Sequence, residues 1–200
     1  MQEPSAPPFR MACDPVSPAN RPPVCGYNGS MVRLEHVLDS WKAVRQDTIA
    51  AVEEFPAGEF AYRPCPDVMT FGEIAYHILQ AGHALTGLLL SGEESFATPD
   101  FRAKLAPHLP DVPADATPAQ LAAALRDSLE LRAAELAARP ADFYAHIVTR
   151  MDGQQVTRLE MLQMLKEHEL THRAHLFLCM RMKGLVPATT RRRMAKQAGR

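Results

Sequence analysis

The sequence predicts an all-α protein: a four-helix bundle with a long crossover between helices two and three. Three observations carry this. Apolar residues recur at helical spacing in four long segments. Three of those segments open on a capping-box signature, in which a Thr and an acid or amide three residues later satisfy each other's orphan N–H groups. A stretch rich in Pro and acids, 92–116, separates the second segment from the third. The composition agrees, because 200 residues at 46% hydrophobic, 22% charged and 6% aromatic suit one globular domain that leans towards helix.

The chain opens with a segment, 1–30, that holds seven of the 17 prolines. Such a composition cannot bury enough apolar surface to offset its ordering entropy, so disorder is expected there, with Met31 a candidate start. The bundle domain is expected over 31–187. Its first helix runs from Val32 to about Glu54, with Leu34, Leu38, Trp41, Thr48 and Val52 on one face. Three prolines in 55–69 break the pattern. The second helix opens at Thr70-Phe71-Gly72-Glu73 and runs to about Ser91, with Phe71, Ile74, Ile78, Ala81 and Leu85 on one stripe. After the crossover, Thr117-Pro118-Ala119-Gln120 starts the third helix, which ends near Arg139-Pro140. A short hairpin-like excursion is expected over 143–156, around Asp152-Gly153. The fourth helix starts at Thr157-Arg158-Leu159-Glu160 and continues to about Lys183, where Gly184 and Pro187 stop it. The basic tail, 188–200, reads as a solvated end.

Several function classes are disfavoured. A net charge of −1 gives no global field for nucleic acid or an anionic membrane. The first residues lack the apolar core of a secretory signal. The uncharged run from Ile74 to Leu90 is interrupted by His77, Gln80, His83 and Thr86, which suits a buried helix better than a membrane span. Cys13, Cys25, Cys65 and Cys179 form no C-x-x-C pair and read as reduced thiols of a cytoplasmic protein.

The fourth helix carries His168-Glu169-Leu170-Thr171-His172, an H-E-x-x-H match. Two imidazoles four residues apart share a helical face and can grip one ion. A metallohydrolase of the zincin kind needs a further ligand downstream, yet no Asp or Glu follows Glu169, and His175 and Leu178 stand where the extended motif has Gly and His. A third ligand must come from upstream, among His36, His77, His83, His108 and His146. His77 alone projects from the apolar stripe of a core-facing helix, whereas His83 lies about 240° further round it. His77, His168 and His172 are therefore the expected metal ligands, forming a three-His site between helices with positions open for substrate.

The chain resembles the DinB superfamily, also called DinB/YfiT-like. The resemblance covers about residues 32–187 and rests on Tyr62-Arg63-Pro64, on TFGEIAYHILQAGH (70–83) and on HELTHRAHL (168–176) with Arg181 and Gly184. The family pattern, one His in helix two and H-x-x-x-H-R-G-Q-L in helix four, falls on His77, His168, His172 and Arg173, with Ala174-His175 in place of Gly-Gln. The resemblance implies a bundle that binds zinc, nickel or iron, often as a homodimer. It also implies small-molecule chemistry such as thiol-dependent S-transfer, with a low-molecular-weight thiol as cosubstrate. Glu169 is then the candidate proton acceptor, although it follows His168 by about 100° of helix, and a pairing carboxylate is the alternative. Cys179, two turns beyond His172, reads as a core thiol. A non-catalytic metal-binding stress-response protein is the competing reading, and an H-E-x-x-H metallohydrolase the disfavoured one.

Overall fold

The computed structural model describes residues 33–199, so the Pro-rich segment expected to be disordered lies outside the described residues. Four long helices form the bundle: α1 (Leu34–Glu54), α2 (Phe71–Leu90), α4 (Pro118–Ala137) and α6 (Arg158–Met182). The crossover carries the short α3 (Phe101–Leu105) and a 3₁₀ turn at Ala106–His108, and α5 (Ala141–Ala145) follows α4. A two-stranded antiparallel hairpin, β1 (Ile147–Thr149) with β2 (Gln155–Thr157), pairs Val148 with Val156, and Gly153 turns it at φ 83°. That left-handed conformation is one glycine adopts without steric cost.

All three expected capping boxes form. Thr70, Thr117 and Thr157 accept from the backbone N–H of Glu73, Gln120 and Glu160, whose side chains return the bond. They fix where α2, α4 and α6 begin, and hence the rotational phase of every side chain along them.

α4 and α6 each pack against both α1 and α2, which places α1 and α2 at diagonal corners of the bundle. The core is divided along the bundle. One cluster joins Val37, Leu38 and Trp41 to Leu88, Leu89, Leu162 and Leu165. The other joins Val52, Phe55, Phe71 and Ile78 to Leu125, Leu176 and Met180, and there the Phe55 and Phe71 rings stack at 3.7 Å. Between the two lies a layer of polar side chains from all four helices: Arg45, Thr48, His77, Ser128 and the 168–173 stretch of α6. The candidate ligands belong to this layer.

The basic tail is no loose end. Residues 188–198 form α7 (Ala188–Ala198), and Arg191 and Arg192 reach back to Glu54 and Asp47 of α1. Asp47 also accepts from Arg173 of α6 at 3.1 Å, so one carboxylate ties α1, α6 and α7 together. No described helix is long and apolar enough to cross a membrane.

Candidate metal centre

His77 lies on α2, and His168 and His172 lie one turn apart on α6, the helix beside it. The three rings converge with centroids 4.5–5.0 Å apart. One ring nitrogen from each lies within 4.8 Å of the others, and His77 Nε2 is 3.1 Å from His168 Nε2. On a tetrahedral ion with bonds of roughly 2.0–2.1 Å, two ligand nitrogens stand about 3.3 Å apart, close to the His77–His168 separation. Among the described residues, the buried Nδ1 of His172 has no hydrogen-bond partner.

Burial keeps these imidazoles neutral. It pushes the pKa of His77 down, and that of His168 down with added repulsion from His77. His172 falls to about 4, through burial first and then the neighbouring His168, His77 and His175. Neutral imidazole is the ligating form, and three of them suit zinc, nickel or iron. The residues present therefore fit a divalent cation.

Glu169 behaves differently from the expected proton acceptor. Its carboxylate is only 2% exposed and is held by four hydrogen bonds from α1. Arg45 Nε donates to Oε1 at 2.7 Å and Arg45 Nη2 to Oε2 at 2.9 Å. Trp41 Nε1 donates to Oε2 at 2.8 Å and Thr48 Oγ1 to Oε1 at 3.0 Å. The 100° between His168 and Glu169 accounts for this. α6 stands between α2 and α1, so the residue after a ligand facing α2 turns towards α1. Arg45 itself is fully buried and gives its remaining Nη1 to the Leu125 carbonyl at 3.1 Å. Gly82 of α2 makes room for it, since a Cβ there would lie 2.7 Å from Arg45 Nη2. Sequence reading passed over Trp41, Arg45 and Thr48 as a polar anchor. The signal was an arginine set between Trp41 and Thr48 on an otherwise apolar face.

His83, excluded as a ligand by its helical phase, faces α4. It lies 3.0 Å from Ser128 Oγ and accepts from Arg132 Nη2 at 3.0 Å. Arg132 always donates, so Nε2 of His83 is the acceptor, and Nδ1 carries the proton and points it at Ser128. This tautomer cannot take the Ser128 proton, so the pair is structural rather than a nucleophilic dyad. Burial, with Arg132 next, depresses the His83 pKa from 6.5 to about 4, with lesser effects from Glu135, Arg45 and His108. The unfolded chain takes up a proton near pH 6.5 that the folded chain refuses until about pH 4. Stability is therefore full above 6.5 and falls as the pH drops through that window. Urea titrations of the chelated protein at pH 7, 6 and 5 should show this fall, and a shallower one in His83→Gln. An unchanged slope in the variant would remove His83 from this account.

Three cavities touch the triad. The first, about 390 Å³, borders His77 and His168 and is otherwise apolar apart from Gln80. The second, about 540 Å³, borders His77 with Arg63, Asp67, Glu73, Tyr76 and Gln80. The third, about 500 Å³, borders His172 and His175, together with Cys65 and Cys179. His175 thus lines a cavity beside the triad and stands 5.6 Å, ring to ring, from His172. Cys179 is buried, as expected for a core thiol.

The fold is a four-helix bundle whose helices α2 and α6 bring three histidines together at spacing that could hold a metal ion. The sequence matches the DinB family model over residues 30–198, and the chain belongs to that family. A comparison with curated proteins gives no match. Among solved structures, the chain is similar to YfiT from Bacillus subtilis, described as a probable metal-dependent hydrolase with an unusual four-helix bundle topology. That match has 17% identity and a TM-score of 0.60, covering 82% of this chain and 97% of that one. A DinB-like protein from the same organism matches at 21% identity and a TM-score of 0.58, over 74% of this chain and 92% of that one. The mycothiol-dependent maleylpyruvate isomerase matches at 18% identity and a TM-score of 0.55, over 72% of this chain, which spans 61% of the isomerase. At these identities the likeness is one of fold.

Proposed function

We propose that this protein is a divalent-metal enzyme acting on a small molecule, with His77, His168 and His172 as ligands and a low-molecular-weight thiol as cosubstrate. A divalent ion held there would supply Lewis-acid chemistry, lowering the pKa of a thiol so that thiolate exists at neutral pH.

The observation that carries this reading is the commitment of Glu169 to α1. An H-E-x-x-H hydrolase uses that carboxylate to take a proton from water. Here both oxygens are occupied, and releasing them would strand the buried Arg45. A thiol ionises far more readily than water and makes less demand on a base. Glu169 is in this reading a positioning residue: its clamp on α1 sets the rotation of α6 and so aims His168 and His172 at α2. The apolar walls of the first cavity exclude water and accept a hydrocarbon group. The proposal includes cytoplasmic residence, in keeping with Cys65 and Cys179, which form no disulfide among the described residues. It also includes a homodimer, as the family resemblance implies.

Metal-loaded protein incubated with a panel of thiols and electrophiles should consume free thiol, and a chelator should stop it. Casein and fluorogenic peptides should remain uncut. Chelator-sensitive peptide cleavage that vanishes in Glu169→Gln would restore Glu169 as a hydrolytic base and overturn the proposal.

A further inference from the structure

Two of the cavities at the triad differ sharply in chemistry and meet along one edge. His77 and Gln80, three residues apart on α2, line both. On one side the walls are hydrocarbon, with Leu85, Phe101, Leu105, Leu109 and Met164 and no charged group. On the other side Arg63, Asp67 and Glu73 bring both signs of charge within one volume. Each volume, about 390 and 540 Å³, falls in the range of about 300–1,000 Å³ usual for small-molecule sites.

The charged side chains keep capacity for a ligand. Arg63 Nη2 lies 3.8 Å from Glu73 Oε2, too far for a hydrogen bond, and the Arg63 side chain is 47% exposed. Glu73 accepts from the Thr70 backbone N–H at 2.6 Å, and this cap holds its carboxyl below the usual carboxylate range, so it is anionic. Asp67 and Gln80 make no side-chain hydrogen bond among the described residues. The Gln80 amide, at the shared edge, offers both a donor and an acceptor.

From this pairing we infer two substrate subsites flanking the metal ligands. The charged cavity selects a thiol that carries both a carboxylate, taken by Arg63, and an ammonium group, taken by Asp67 and Glu73. The apolar cavity holds the hydrocarbon body of the electrophile. Gln80 stands where the two substrates meet. The inference rests on the thiol-dependent reading above and names the kind of thiol.

Calorimetric titration of the metal-loaded full chain with three thiols tests it. Glutathione carries both charged groups, N-acetylcysteine only the carboxylate, and N-acetylcysteamine neither. None of the three places a free amine beside the sulfur, but N-acetylcysteine can chelate an ion through sulfur and carboxylate, so the Arg63→Ala arm, and not the wild-type order alone, separates chelation from capture by Arg63. Each charged group should tighten binding by roughly two- to fivefold, the gain usual for charge pairs at half-exposed side chains. Arg63→Ala should bring N-acetylcysteine down to N-acetylcysteamine while leaving metal content unchanged. Asp67→Asn should reduce the advantage of glutathione over N-acetylcysteine, and Leu105→Asn should leave all three thiols as they were. Equal affinities for the three thiols, or a carboxylate preference that survives Arg63→Ala, would overturn the assignment while leaving the thiol-dependent reading in place. If no thiol binds the loaded wild-type chain, that reading falls and the subsites fall with it.

Discussion

Arg45→Ala is expected to destabilise the protein by about 3–5 kcal/mol, the loss typical of a buried ion pair deprived of one partner. For a domain of this size that is a fall in Tm of roughly 6–20 °C. The side chain is fully buried and makes three of its hydrogen bonds to Glu169 and Leu125. Its removal leaves the Glu169 carboxylate in the core with only Trp41 and Thr48 as donors, and opens a void beside Gly82. Much of the loss comes from the stranded charge and not from the pair itself. Arg45→Met combined with Glu169→Leu should therefore recover a large part of it, short of full recovery because Trp41 Nε1–H and the Thr48 hydroxyl lose their acceptor. Calorimetric scans of the wild type, Arg45→Met, Glu169→Leu and the double variant close the cycle. A loss below about 1 kcal/mol in Arg45→Ala would be the behaviour of an exposed pair and would contradict the buried clamp.

His77→Ala carries the second large effect, on metal and not on fold. Changes to residues that merely support a ligand typically cost 10–100-fold in affinity. Removing one of three ligands should cost more than about 100-fold, since two imidazoles on α6 make an incomplete cage. In the metal-free chain the same change removes one half-buried hydrogen bond, His77 to His168 at 3.1 Å, and two edge-on ring contacts, so its Tm should fall only slightly. A large loss of metal affinity beside a small change in Tm separates a ligand from a core histidine, whose removal would lower Tm and leave metal binding alone.

Much of this was legible in the sequence because the information is local. Thr70, Thr117 and Thr157 announce helix starts through partners three residues away, and the structure places all three caps as expected. The i, i+4 spacing of His168 and His172 fixes a shared face, and the Phe71–Ile74–Ile78 stripe gives the phase of His77. What stayed hidden depends on which helices become neighbours. That Glu169 turns away from His168 follows from helical phase, but its partner is 124 residues earlier, on a helix diagonal to α2. The tail is a similar case, since its basic run reads as solvated until Glu54 and Asp47 are known to lie beside it. The apolar cavity draws Phe101, Leu105 and Leu109 from the crossover, a stretch whose prolines gave no periodicity from which to place them.

In the proposed site one ion is held by residues from two helices, His77 from α2 and His168 and His172 from α6. Competitive titration of the chelated protein with zinc, in the wild type and in His77→Ala, tests it most directly. About one tight ion per chain is expected in the wild type, with an affinity weakened by more than about 100-fold in the variant and the fold retained. Tight, stoichiometric binding that persists in His77→Ala would contradict it, leaving His77 as a core residue and the ion, if any, on α6 alone.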